Sequence, residues 1–450
     1  MKQKIGVISL GCAKNQVNSE QMLALIREAG YELRAELTDC DAVVVNTCGF
    51  VESAKSEAIA ELLECIELKS QGTLKAVIAA GCLAERYKHE LLTEMPELDA
   101  VVGTGSYGEI VSVIDKVLSG EQTELYGDIN APAEETSRIL TSAHGSAYIK
   151  IAEGCDNRCA YCVIPSIRGK YRSRTLDSLA AEAETLANAG VKELIVVAQD
   201  ITRYGLDLYG ERKLPELLRR FSAIDGIEWI RLHYLYPDEV TDALIAEVRY
   251  NPKIVKYLDI PIQHINDGIL KAMNRRGDGE FIRKLFTKLR AEIPGLVLRT
   301  SVIVGLPGEG NDEFEELCEF LREYKIERAG VFPYSPEEGT PAFDMPGAVH
   351  AELSEHRAAL IEELQSRIID GWNETRLGTT FSVLIEGYDE WGECCYGRSY
   401  ADSPDVDGKV YISMPNDIEN KKSGGLDVGT FVSVTATDIL DGDLIGELTL

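Results

Sequence analysis

The sequence predicts an α/β protein in three parts: an N-terminal parallel α/β sheet domain, an incomplete (β/α)6 barrel, and a small C-terminal all-β barrel. Three observations carry that expectation. Short apolar runs alternate with helical stretches through the first part, and the alternation resumes between Ala147 and Phe332. Past about Thr375 the pattern changes to short strands between glycine- and aspartate-rich turns. The expected boundaries are 1–118 for the first domain, 119–142 for a linker, 143–374 for the large barrel and 375–450 for the small one.

In the first domain, Ile5–Leu10, Ala42–Val45 and Ala76–Ala80 read as buried parallel strands, followed by helices over Ser19–Ala29, Glu52–Leu68 and Arg86–Glu94. The large barrel takes its strands from Ala147–Ala152, Glu193–Ala198, Glu228–His233, Lys256–Ile260, Val297–Val304 and Arg328–Phe332. Helical stretches such as Ser178–Ala189, Pro215–Ser222, Glu280–Ile293 and Asp312–Tyr324 lie between them. At the C-terminus, Phe381–Glu386, Gly408–Ser413, Phe431–Asp438 and Leu444–Leu448 suggest a five-stranded barrel.

At 450 residues, 45% hydrophobic and 27% charged, the chain is long enough for more than one full core. Its longest apolar stretches, such as Leu194–Ala198, stop far short of the roughly 18 residues of a membrane span. Lys2, Lys4 and the run before Gly11-Cys12 imitate a lipoprotein signal, but that run is shorter than the roughly 7–15 residues of a signal core. A cytoplasmic protein with no membrane partner is expected. The formal charge of −29, from 46 Lys and Arg against 75 Asp and Glu, repels phosphate backbones and favours basic partners.

The 11 cysteines are odd in number, so organised subsets point to metal or cluster ligation rather than to disulfides. Cys12, Cys48 and Cys82 each follow one of the first three strands. In an open α/β sheet such positions share one edge, where ligands gather, so the three thiols are expected to converge. Cys155-Asp-Asn-Arg-Cys159-Ala-Tyr-Cys162 is a C-x3-C-x2-C run after another strand. Three thiolates in eight residues can hold three corners of a cubane and leave one iron open; a zinc knuckle is the plainer alternative.

That run, with an aromatic residue before its last cysteine, resembles the radical S-adenosylmethionine (SAM) signature. Together with "SLGCAKN", "NTCGF" and "AAGCLAER" upstream, it makes the chain similar over nearly its whole length to the methylthiotransferase family. The resemblance implies a radical SAM barrel and a terminal TRAM module. It implies a [4Fe-4S] cluster on Cys155, Cys159 and Cys162 whose open iron chelates SAM, and a second [4Fe-4S] cluster on Cys12, Cys48 and Cys82 that supplies sulfur. Reductive cleavage of SAM would give a 5′-deoxyadenosyl radical, with electrons from a donor such as flavodoxin or ferredoxin. A second SAM would methylate the sulfur.

The family divides between enzymes that modify a tRNA adenosine and enzymes that modify the β-carbon of an aspartate in small-subunit ribosomal protein twelve. "SLGCAKNQVNSE" (Ser9–Glu20), "AQDITRYGLDLYG" (Ala198–Gly210) and "GRSYADSPDVDGKVYI" (Gly397–Ile412) resemble the second branch, whereas the tRNA enzymes read closer to T-x-GCQMN. Ala13 and Asn18 depart from that branch, where proline and aspartate are usual. From Arg376 to Leu450 five Lys and Arg stand against fourteen Asp and Glu, a net charge of −9. Such a module should repel RNA and suit a basic ribosomal protein.

Tyr161 and Gln199 are the candidate cofactor contacts. Gln199 and Asp200 could bind SAM or simply cap the next turn. His264 could face the barrel mouth or be structural, and Gly305–Glu309 reads as a turn near adenine. Arg168, Lys170, Arg172 and Arg174 could hold the carboxylate of SAM or of the substrate, or form a solvated loop. Cys318 is expected in the core, and the vicinal Cys394-Cys395 in an exposed turn.

Overall fold

Six parallel strands build the first sheet, in a computed structural model that describes residues 2–133, 136–142, 145–413 and 426–449. They are β1 (Lys4–Ser9), β2 (Glu32–Leu33), β3 (Ala42–Thr47), β4 (Ala76–Gly81), β5 (Ala100–Val102) and β6 (Thr123–Leu125), in the order β2-β1-β3-β4-β5-β6. β3 and β4 are buried at every position, because helices cover both faces of the sheet. β6 completes the sheet from within the stretch read as a linker. The helix expected over Arg86–Glu94 is two, Cys82–Tyr87 and His89–Glu94, broken at Lys88 with φ +48°.

The second sheet, also parallel, is open. It comprises β7 (Ser146–Lys150), β10 (Glu193–Val197), β11 (Trp229–Leu232), β12 (Ile254–Asp259), β13 (Val297–Val304) and β14 (Arg328–Pro333), in the order β14-β13-β12-β11-β10-β7. A two-stranded ladder of β8 (Ala152–Glu153) and β9 (Arg172–Ser173) closes the cysteine loop. Connecting helices begin where short polar side chains cap them: Thr175, Thr241, Asn266 and Asp278 each accept a backbone N–H three residues on. Leu194, Val196, Ile230, Leu232, Leu258 and Leu298 face those helices in one large core. Cys318 belongs to it.

The C-terminal strands β15 (Thr380–Asp389), β16 (Cys394–Ser399), β17 (Val410–Ser413), β18 (Phe431–Leu440) and β19 (Asp443–Leu448) form a closed barrel, β15-β16-β17-β19-β18. Cys394-Cys395 opens β16 rather than sitting in an exposed turn. The turn comes earlier, so strand alternation sends Cys395 into the barrel core, 1% exposed. Lys421 and Lys422 lie outside the described residues.

The stretch after β16 leaves the small barrel and fills the inner face of the large one. Arg398 bonds Glu193 at 2.6 Å, and Glu193 bonds Arg231 at 2.7 Å, all three buried. Ser403 meets His233 at 2.9 Å, Asp407 accepts from Tyr257 at 2.6 Å, and Asp402 pairs with Arg328. Among the described residues no helix is long and apolar enough to cross a membrane.

Candidate active site

Cys12, Cys48 and Cys82 follow β1, β3 and β4, which are adjacent in the sheet. Sequence separations of more than thirty residues therefore collapse to neighbouring strand ends roughly 5 Å apart. Two glycines make room. A Cβ on Gly11 (φ +85°) would lie 2.7 Å from Cys48 Cβ, and one on Gly81 (φ +100°) 2.4 Å from Asn46 Oδ1 and 2.6 Å from the Thr47 carbonyl. Gly81→Ala is expected to cost about 1–3 kcal/mol through strain and crowding. A thermal unfolding midpoint equal to that of the wild type would refute that account.

Asn15, one turn into the helix Ala13–Glu28, ties the three loops together. Its Nδ2 donates to the carbonyls of Leu10 (3.0 Å) and Thr47 (2.9 Å), and its Oδ1 lies 3.6 Å from Cys82 Sγ. Arg168 reaches in from the other domain, donating to Asn15 Oδ1 and, at 3.0 Å, to Cys82 Sγ. Cys82 also packs against Val163, the neighbour of Cys162, and against Ile167. The two cysteine sets thus adjoin one another.

Burial raises the Cys48 thiol to about 11, and pushes Cys82 up against the opposing pull of Arg168. For Cys12 burial also works upward, but the cations of Lys14 and Arg168 and the N–H groups of Asn15 and Lys14 overcome it and hold the thiol below its usual range. In the second set burial lifts Cys155 to about 11 and Cys162 to about 12. The backbone N–H of Asn157 donates to Cys155 and that of Ile164 to Cys162. Arg275 Nη1 stands 3.7 Å from Cys159 Sγ, and Tyr236 Oη 3.9 Å from it. Each set therefore has an arginine at one sulfur and backbone donors at others.

Buried and half-buried thiols with N–H donors and a guanidinium beside them suit a group that keeps them as thiolates. Among the described residues no three His, Cys, Asp or Glu side chains meet closely enough for one metal ion. A cubane does not ask that of them, because each thiolate binds a different iron.

Around the C-x3-C-x2-C loop, Lys150 bonds Glu153 at 2.7 Å, and Arg168 approaches the same carboxylate at 3.4 Å. Burial opposes the Glu153 charge, but these two cations hold it well below the usual carboxylate range. Gln199 Nε2 donates to Glu153 at 2.9 Å, which leaves its Oε1 buried without a partner, an acceptor available to a ligand. Tyr161 turns its hydroxyl to Cys159, and its ring packs beside Ala160 and Met273.

Asp200 does both of the simpler things: it caps the turn at Thr202 (3.0 Å) and accepts from Asn157 of the cysteine loop (2.9 Å). His264 is fully buried, its Nδ1 accepting from the Asn266 N–H, which is a structural role. Gly305–Glu309 is a turn braced by Arg357, which bonds Glu309 at 2.7 Å. Of the basic run, Arg168 and Arg174 are buried, whereas Lys170 is exposed. Asn15, Lys150, Glu153 and Arg275 were not legible as site residues. "SLGCAKN" contains Asn15, but nothing in its spacing marks an amide as a hub.

Residues 149–321 match the Radical SAM superfamily, residues 4–103 the family described as "Uncharacterized protein family UPF0004", and residues 377–449 the TRAM domain. The protein from Acetivibrio thermocellus named ribosomal protein uS12 methylthiotransferase RimO is 48% identical over 456 residues, covering 100% of this chain and 99% of that protein. The RimO of Lachnoclostridium phytofermentans is also 48% identical, over 98% of this chain and 99% of its own length. Among solved structures, the radical SAM methyltransferase TsrM from Kitasatospora setae superposes with a TM-score of 0.55 at 14% identity, over 76% of this chain and 77% of that one, a likeness of fold. With cysteine loops at the strand ends of two parallel sheets and full-length identity of this order, the chain belongs to the RimO family of radical SAM methylthiotransferases.

Proposed function

We propose that this chain places a methylthio group on the β-carbon of an aspartate in ribosomal protein uS12, giving 3-methylthioaspartate. It would use one [4Fe-4S] cluster on Cys155, Cys159 and Cys162 and a second on Cys12, Cys48 and Cys82. The observation that supports the reading is the packing of Cys82 against Val163, together with the bond from Arg168 to its Sγ, which joins the Cys82 loop to the segment that follows Cys162. Bound SAM supplies hydrogen abstraction from an unactivated C–H bond, which no side chain can achieve by proton transfer.

The chain's own residues prepare that space. Arg168 and Arg275 stabilise negative charge on one sulfur of each set. Gln199, its amide fixed by Glu153, offers Oε1 to a donor on SAM. Tyr161 acts through Cys159, to which its hydroxyl is tied.

The C-terminal barrel favours a protein substrate over tRNA. Arg376 and Arg398 are buried, so Lys409 is the cation its described residues leave on the surface, among many carboxylates. An RNA groove would need more.

The test is a paired assay on anaerobically reconstituted protein with SAM and dithionite. One tube holds a peptide from the uS12 loop that carries the aspartate, the other an anticodon stem-loop bearing isopentenyladenosine. The expected result is a mass gain of one CH2S on the peptide alone. The same gain on the RNA alone would overturn the substrate assignment.

A further inference from the structure

Lys14 stands at an unusual place for a lysine. It lies in the first turn of the helix Ala13–Glu28, where exposed N–H groups and the helix dipole already make the potential positive and where a cation is disfavoured. No Asp or Glu among the described residues forms an ion pair with it. Its ammonium instead crosses from the first domain to the barrel and sits 3.5 Å from the centroid of the Tyr234 ring. Arg168, a second cation, is near enough to oppose it.

The seat is held in a strained conformation. Tyr234 has φ +63°, a region that costs an aromatic residue of order 1–3 kcal/mol. Its N–H donates to Asp259 at 3.0 Å, Arg299 fixes that carboxylate from the other side at 3.0 Å, and its carbonyl accepts from Ile201 at 3.1 Å. The ring is therefore pinned at the end of β11, on the side where the barrel meets Cys12. Lys14 as a residue is only half-buried.

A cation placed against its helix, lacking a carboxylate, and steadied on a ring near Cys12 suits an anionic ligand. We infer that Lys14 binds the side-chain carboxylate of the substrate aspartate and so selects an acidic residue over a neutral one. The inference rests on the aspartate reading above.

The test compares two fluorescein-labelled uS12 loop peptides, one with the aspartate and one with asparagine in its place, by anisotropy on reconstituted full-length protein. The wild type should bind the aspartate peptide about tenfold or more tightly, the size of one charge-assisted hydrogen bond. Lys14→Met should bring the two affinities within about twofold of each other, and Lys14→Arg should keep most of the preference. Iron and sulfide content is measured on each variant, and SAM cleavage without peptide should match the wild type, because Cys155, Cys159 and Cys162 lie on a separate loop with its own donors. If Lys14→Met loses iron because Cys12 is two residues away, Lys14→Gln replaces it. A neutral variant that keeps its iron and still prefers aspartate overturns the role of Lys14 alone. A wild type that binds neither peptide overturns the aspartate reading and this inference with it.

Discussion

Cys12→Ala should split the reaction in two. The variant is expected to keep about half the iron and acid-labile sulfide of the wild type, because Cys155, Cys159 and Cys162 lie on a separate loop with its own donors. On reduction it should still convert SAM to methionine and 5′-deoxyadenosine, while methylthio product falls below detection. Cys159→Ala, which leaves Arg275 and Tyr236 facing an empty corner, should lose both activities. Iron analysis, chromatography of the nucleoside and peptide mass spectrometry read the three quantities. A Cys12 variant that also fails to cleave SAM would mean that the two sites are not separable; the contact of Cys82 with Arg168 and Val163 would be where they depend on each other.

Glu193→Gln is expected to have the largest effect on stability. Glu193 is fully buried between Arg231 on the same sheet and Arg398 from the small barrel, so its loss leaves Arg231 without a counter-ion and Arg398 with Glu386 alone. Breaking such a group typically costs about 3–5 kcal/mol. The control is Arg367→Ala, whose pair with Glu363 is solvent-exposed and contributes at most about 1 kcal/mol. Thermal unfolding should separate the two variants clearly, and equal midpoints would refute the account. Burial works against the Glu193 charge, but Arg398 and Arg231 hold it below the usual carboxylate range. Its folded pKa being depressed, the contribution is present at neutral pH and is lost only as acidification passes below that range.

Much of this was legible because apolar periodicity and cysteine spacing are strong signals. Val297–Val304 was read to the residue, and the convergence of Cys12, Cys48 and Cys82 followed from strands of one direction. The start of the first helix was missed, since Asn15, Asn18, Ser19 and Glu20 are buried there. Those polar residues are inside because they bond the loops and the neighbouring domain, which a search for apolar stripes cannot see. β16 was missed for a related reason: Cys394–Ser399 holds cysteine, glycine and arginine, and its Arg398 is buried only because Glu193, two hundred residues earlier, waits for it. Tyr234 shows the limit most plainly, as neither its backbone strain nor its pairing with Lys14 leaves a trace in local sequence.

The segment from Arg398 to Asp407 has a consequence for anyone who would exchange C-terminal modules among relatives. A cut at the junction near Thr375 removes more than an accessory: it takes away Asp402, which neutralises Arg328, Asp407, which accepts from Tyr257, and the hydroxyl that meets His233. A chimera built there would graft a foreign loop onto a socket shaped and charged for this one. Successful grafts must carry the loop together with its socket, Glu193, Arg231, His233, Tyr257, Arg299 and Arg328, so that terminal module and catalytic barrel are inherited as one unit.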